Sequence, residues 1–256
     1  MPTIKRLEVV DWRYPTSLKL DGSDAVHKKP DYSCVYMVMH TDDPKLVGHG
    51  LTFTCGRGNE IVKRMIEAFE FLVVGKDLDK DFIADPVEFM RTLTQDGQLR
   101  WLGPEKGVIG LAVNCITNAL WDMWARKENK PFWMLVASME PEQLIKCIDF
   151  HHMTDCITPE EGLALLKKQR PGWEKRVEEI KQNGYPTYTT GAGWLGYSEE
   201  KTRGLCRDLM NEGFTHFKMK VGSEKVEEDM ERAKWIRSEI GEKNVLMMDA
   251  NQKWDV

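Results

Sequence analysis

From about residue 184 onward the chain repeats one grammar: strand, helix, strand, helix, strand. Tyr185-Pro-Thr-Tyr-Thr-Thr190 is strand-like and leads through a Gly-containing loop to a helix starting near Ser198. Leu205, Leu209 and Met210 share that helix's inner face, and Gly213 supplies a C-terminal stop. A strand over 214–221 follows, then a helix over 223–240 whose apolar face is Val226, Met230, Ala233, Ile236 and Ile240, ended by Gly241. Val245 to Asp249 is the next strand. Strands separated by helices cannot pair through hairpin turns. They pair in parallel, with right-handed crossovers, which makes this part α/β.

The residues before it obey a different rule. Stretches over 4–10, 33–39 and 50–54 are short and rich in β-branched and aromatic residues, with a turn at Thr41-Asp-Asp-Pro44 between the last two. They predict an antiparallel meander. A polar loop over 16–31 separates the first two strands. Ile61, Met65, Ile66, Phe69, Leu72 and Val73 then fall on one helical face, and residues 109–124 form a helix apolar enough to be buried on most sides. A sheet followed by helices is an α+β arrangement. The predicted boundaries are an α+β domain over 1–154, a helical connector over 155–184, and an α/β domain over 185–256.

Composition narrows the function. With 41% hydrophobic residues and nine Trp the chain has material for a real core, so global disorder is excluded. The net charge of −5, with basic and acidic residues interleaved, argues against nucleic acid or an anionic membrane surface as partner. No apolar run approaches the roughly 18 residues of a membrane span. Six cysteines lie at long, irregular gaps without a CxxC pair, and Met1-Pro-Thr-Ile leads straight into a strand pattern rather than a secretory signal. Reduced thiols in a soluble intracellular protein, cytoplasmic or mitochondrial, is the expectation.

Functional groups of parallel α/β folds gather at the carboxyl ends of the strands. Two strand ends here carry polar residues. In Phe217-Lys218-Met219-Lys220-Val221 the pleat puts both lysines on one face and the apolar residues on the other, which would meet the helices. Two ammonium groups so close repel, which lowers at least one pKa and yields an amine able to act as a base. Spacing alone equally allows an edge strand whose lysines discourage aggregation. In Val245-Leu-Met-Met-Asp249-Ala-Asn251 the same alternation brings Asp249 and Asn251 to the mouth, where a carboxylate suits magnesium. A lone Asp there is also a common helix cap. On adjacent strands, a base beside a divalent cation is equipment for removing a proton α to a carboxylate. Gly56-Arg-Gly58 lacks the context of a phosphate loop, His151-His152 would point apart on a strand, and His216 reads as core packing.

The lysine-x-lysine strand and the Asp-x-Asn strand, behind an α+β domain, resemble the mandelate racemase branch of the enolase superfamily. Finer stretches are similar to the L-fuconate dehydratases: Tyr14-Pro-Thr-Ser17, Asp21-Gly-Ser-Asp24, Pro30-Asp-Tyr-Ser33, Gln98 to Gly107, Gly184 to Thr190, Trp194-Leu-Gly-Tyr-Ser198 and Met248-Asp-Ala-Asn-Gln252. The resemblance implies an α+β capping domain followed by the start of a (β/α) TIM-type barrel, truncated after about three barrel strands. It implies magnesium-dependent dehydration of a sugar acid, L-fuconate, to a 2-keto-3-deoxy acid. Lys220 would remove the α-proton, Lys218 would bind the carboxylate, and Asp249 would be the first magnesium ligand, supported by Asn251. Gly22, Ser23, Asp24 and Tyr32 would contact the sugar from a loop free to move as a lid. Further metal ligands and a general-acid histidine are expected beyond residue 256. The 256-residue chain alone is therefore expected to bind magnesium weakly, to be inactive and to aggregate. The alternatives are a dehydratase for another aldonate, or a non-catalytic short isoform that binds or regulates. A homo-oligomer built through the capping-domain surface is compatible with the same analogy.

Overall fold

A computed structural model describes residues 2–103 and 106–255. Pro104 and Glu105, inside the Gln98 to Gly107 stretch, lie outside the described residues. The chain clusters into two compact units, one of Met1–Trp12 with Ser33–Asn183, the other of Arg13–Tyr32 with Gly184–Val256. The fold is mixed α+β, with an antiparallel capping sheet in the first unit and a partial, barrel-like parallel sheet in the second.

In the first unit β1 (Ile4–Trp12), β2 (Ser33–Thr41) and β3 (Val47–Thr54) form an antiparallel sheet in that order. Alternation holds on the central strand, where Val35, Met37 and Met39 are fully buried. Helices α1 (Asn59–Ala68) and α2 (Glu70–Val73) follow. Their inner stripe is Val62, Met65, Ile66, Phe69 and Val73, while Ile61, expected on that stripe, is 55% exposed. Ile61 sits about 100° round the helix from Val62, and the buried set already completes the 3.6-residue period. Asn59 is fully buried and joins the strand ends. Its Nδ2 donates to Asp11 and to the Cys34 carbonyl, and its Oδ1 accepts from the Thr54 hydroxyl at 2.8 Å.

After α3 (Pro86–Thr94) comes α4 (Gly107–Lys127), apolar nearly all round as its sequence requires. It lies so close to β3 that a methyl group on Gly50 would be 2.0 Å from the Cys115 carbonyl oxygen, and one on Gly48 would be 2.2 Å from that of Ala119. The strand has glycines here because the helix backbone takes the space of a Cβ. Short helices α5 (Phe132–Ser138) and α6 (Pro141–Leu144) precede α7 (Pro159–Gln169) and α8 (Trp173–Asn183). The last two fill the stretch read from sequence as a connector, and they cluster with the first unit. His151 and His152 lie in a turn rather than a strand, with their rings 4.3 Å apart instead of pointing away from each other.

The second unit contains α9 (Glu199–Asn211), β4 (His216–Lys220), α10 (Val226–Ile240) and β5 (Val245–Asp249). Ser198 caps α9 by accepting the Lys201 N–H. Strands β4 and β5 pair in parallel, Lys218 opposite Met247 and Lys220 opposite Asp249. The first expected barrel strand, 185–190, is reduced to one parallel bridge, Thr189 with Phe217. Pro186 has no N–H for a ladder, and Tyr185 and Tyr188 are exposed. The core is Ala192, Cys206, Phe217, Met219, Val221, Ile236 and Ile240. Two residues assigned to the inner face of α10 point outward, Val226 and Met230. The buried face is instead Asp229, Arg232, Ile236 and Ile240. Among the described residues no helix is long and apolar enough to cross a membrane.

Two glycine substitutions should act with opposite sign. Gly50→Ala collides with rigid helix backbone and should lose about 1–3 kcal/mol or more. Gly204→Ala adds a Cβ in open space within α9 and should gain about 0.5–1 kcal/mol. Urea midpoints of the two variants check both; a Gly50→Ala protein as stable as its parent refutes the close-contact argument.

Candidate functional site

Three buried side chains set the orientation of the site. Phe217, Met219 and Val221 sit in the core under α9 and α10, so Lys218 and Lys220 face the opposite side of β4. The strand on the other edge of β4 is replaced by the 189–193 backbone. The Lys218 N–H donates to the Thr189 carbonyl and that of Lys220 to the Gly193 carbonyl, each at 2.8 Å. Gly193 must lack a side chain, because a Cβ there would lie 2.1 Å from the Lys218 carbonyl oxygen.

The register of β5 delivers Asp249 to the end of β4, and one of its oxygens is shared. Oδ2 accepts from Lys220 Nζ at 2.8 Å and lies 3.2 Å from Lys218 Nζ, while Oδ1 accepts the Asn251 N–H at 3.0 Å. Asn251, left-handed at φ 50°, turns its Oδ1 back to Lys220 Nζ at 2.9 Å. The hydrogen bond from Lys220 is the main reason the Asp249 carboxyl falls to about 2, helped by the Asn251 N–H and Lys218 against the cost of burial. Of the pair expected to include a lowered pKa, Lys218 is shifted the other way. Burial pulls its pKa down, but donation to Tyr188 and Asp249 outweighs burial and leaves it above the ordinary lysine value. Repulsion between the lysines does not free a neutral Lys218, because a carboxylate stands between them. His216, on the same face at the strand's entrance, is exposed and bonded to the Thr215 hydroxyl rather than packed in a core.

Sequence reasoning missed two aromatic neighbours. Tyr188 accepts a hydrogen bond from Lys218 Nζ at 2.9 Å, with the ammonium 4.5 Å from its ring centre. The Trp194 ring lies 5.7 Å from Lys220 Nζ and takes the edge of Tyr32 at 6.0 Å. Tyr188 lies in a stretch read as strand and Trp194 in a loop, where no periodicity indicates direction.

Tyr32 thus approaches the lysines through Trp194, whereas Gly22, Ser23 and Asp24 bond elsewhere. The polar groups of these three residues bond within the loop and to the 195–196 backbone. Ser23 Oγ donates to the Leu20 carbonyl and accepts the Gly196 N–H at 2.9 Å. Asp24, 3% exposed, accepts the N–H groups of Val26 and His27. Gly22, at φ 83°, lies against the Tyr32 ring, whose hydroxyl donates to the Gly22 carbonyl at 3.1 Å. The loop read as a movable lid is tied to α9 through Asp21, which bonds Tyr197 and accepts from Lys201 at 2.9 Å.

As a magnesium ligand Asp249 fits, being a hard oxygen donor at the strand mouth, but it fits singly. Among the described residues no three His, Cys, Asp or Glu side chains form a metal-binding group. A magnesium ion takes about six oxygen ligands, several of them water.

Comparison with known proteins agrees with this architecture. Residues 201–256 match the family model "Enolase C-terminal domain-like". Human mitochondrial enolase superfamily member 1, a solved structure, is 47% identical with a TM-score of 0.94 over 99% of this chain and 57% of that one. L-galactonate dehydratase of Hypocrea jecorina is 49% identical over 99% of this chain and 56% of its own length. L-talarate/galactarate dehydratase of Salmonella typhimurium LT2, solved with magnesium and L-lyxarohydroxamate, is 19% identical with a TM-score of 0.70 over 99% of this chain and 53% of that one, a likeness of fold. The chain spans a little over half the length of these relatives. It belongs to the enolase superfamily.

The shared carboxylate has a pH signature. Asp249 is held below its unfolded value, so its contribution to stability is complete above about pH 4 and disappears as pH falls through about 2. The urea-midpoint difference between the protein and its Asp249→Asn variant, taken with a chelator present, should be constant from pH 5 to 7 and close near pH 2. A difference that persists unchanged to pH 2 refutes the ion-pair assignment.

Proposed function

We propose that this chain provides the capping domain and the first barrel strands of an aldonate dehydratase, with Lys220 as the base that removes the proton α to the carboxylate. The observation that carries the reading is the triad of Lys218, Lys220 and Asp249 at one end of adjacent parallel strands. The Hypocrea jecorina relative, named for L-galactonate, supports a six-carbon aldonate as substrate. L-Fuconate is the 6-deoxy form of L-galactonate, so the two candidates share their configuration at C2 to C5 and differ only at C6. L-Galactonate is the better supported of the two. The word mitochondrial in the names of the vertebrate relatives supports that compartment over the cytoplasm.

Loss of the C2 proton and of the C3 hydroxyl as water gives an enol that tautomerises to the 2-keto-3-deoxy acid. Lys218 and Tyr188 bind and orient the substrate carboxylate, and Trp194 screens Lys220 from water on one side. Asp249, with ligands from the rest of the protein, would hold magnesium, which would supply Lewis-acid stabilisation of the negative charge that develops on the substrate. Ser23, Asp24 and Tyr32 of the 13–32 loop, with the Gly22 backbone, discriminate among the sugar hydroxyls.

The full-length protein with magnesium should exchange the C2 proton for solvent deuterium and dehydrate L-galactonate, L-fuconate or both. Lys220→Met should lower turnover by about 10²–10⁴-fold. Absence of exchange across a panel of six-carbon aldonates, or retention of activity by Lys220→Met, would overturn the proposal.

A further inference from the structure

We propose that Asp229 and Arg232 are positioning residues that fix the backbone at the carboxyl end of β4, and through it the Lys220 ammonium and the Trp194 ring; this rests on the reading of Lys220 as the base. Both residues project from α10 into the interior and are 6% exposed. Arg232 Nη1 donates to the carbonyl of Lys220 itself at 2.7 Å. Nη2 donates to the carbonyls of Trp194 at 3.0 Å and Gly193 at 3.3 Å. One guanidinium therefore connects the backbone of the base to the backbone of the aromatic residue beside it.

Asp229 holds the next two residues of the chain. Its Oδ2 accepts the N–H groups of Gly222 at 2.8 Å and Ser223 at 2.9 Å, and Oδ1 accepts the Ser223 hydroxyl at 2.7 Å. The two side chains also meet each other, Nη1 to Oδ1 at 3.5 Å. Between them they anchor residues 220, 222 and 223 on one side and 193 and 194 on the other.

Packing alone does not account for this pair. A buried charge costs several kcal/mol in desolvation, and apolar side chains of similar volume would seat α10 at least as firmly. Burial indeed pulls the Arg232 pKa down from its ordinary value against the pull of Asp229. What the charged pair adds is direction. Only a planar fork with several donors reaches three carbonyls from one position, and a lysine cannot reproduce it. A base must be held within about 0.5 Å of its working geometry, and displacement by about 1 Å costs up to about 100-fold in rate.

The test uses the full-length protein with Arg232→Lys, which keeps the charge, and Asp229→Asn, which keeps a carbonyl for the two amides and leaves the guanidinium in place. At a temperature well below each melting point, kcat per folded molecule should fall about 10–100-fold in Arg232→Lys, with KM for the aldonate within about threefold. Asp229→Asn should fall less in kcat, with the same split. Amide exchange at Lys220 and Gly222 should accelerate in both variants. A kcat within twofold of the parent, or a loss explained wholly by the unfolded fraction, would overturn the assignment. If the parent itself exchanges no aldonate proton, the functional reading fails rather than the clamp. The clamp then stands or falls on the amides, and unchanged protection in both variants refutes it.

Discussion

The pleat of one five-residue strand determines what the second unit can do. Phe217 and Met219, with Val221 just beyond β4, are no more than 2% exposed, and each packs toward the helices. Sliding the strand by one residue would turn Lys218 and Lys220 into the apolar core beneath the helices and turn those three apolar side chains out of it. No arrangement of the surrounding loops offsets that cost, so the lysines are committed to the mouth by the core. Strand β5 is far less constrained, with Val245 and Met248 exposed. It acquires its register from β4, and Asp249 arrives opposite Lys220 because Val245 pairs with His216.

Once the lysines are adjacent, their electrostatics require a third group. Two ammonium groups beside one carboxylate leave the cluster with a local excess of one positive charge, in a chain whose net charge is −5. The sign of the field at a site is set by its nearest charges, and overall charge speaks only to long-range association. A cluster of this kind favours a small anion, and the polar neighbours Tyr188 and Asn251 set the directions from which hydrogen bonds are available. Asp249 is the counter-ion of both lysines.

The parts of this site legible in the sequence are those governed by a period of two. The lysine pair, the buried partners between them and the polar strand end at Asp249 all follow from alternation, and the helices that separate the strands establish their parallel pairing. The helix faces were less legible. On α10, Val226 and Met230 look like a core stripe, yet the buried positions include Asp229 and Arg232. A hydrophobicity pattern misreads a helix whose inner face carries hydrogen bonds to loop backbone, because polarity there has the opposite meaning. Close approaches were invisible for a related reason. Gly193, Gly48 and Gly50 are each defined by a carbonyl oxygen about 2 Å from a missing Cβ, and the oxygen belongs to an element remote in sequence. The loss of the 185–190 strand was readable in principle, from Pro186.

Under the proposed function, the loop over residues 13–32 would recognise its substrate with side chains that are already hydrogen-bonded. Ser23 Oγ already donates and accepts, and Asp24 already receives two N–H groups. A sugar hydroxyl that reaches either residue exchanges one partner for another instead of filling an empty valence. Such exchanges contribute little net affinity, because each bond formed replaces one of similar strength. They discriminate well, because a hydroxyl of the wrong configuration breaks an internal bond without returning one, and a buried acceptor left unpaired costs about 1–3 kcal/mol. Under the proposed function, affinity for an aldonate would come mainly from the charged cluster at Lys218, which is indifferent to configuration, and selection would fall to the loop, which Asp21 ties to Tyr197 and Lys201. That reading assigns binding and selection to different elements of the second unit.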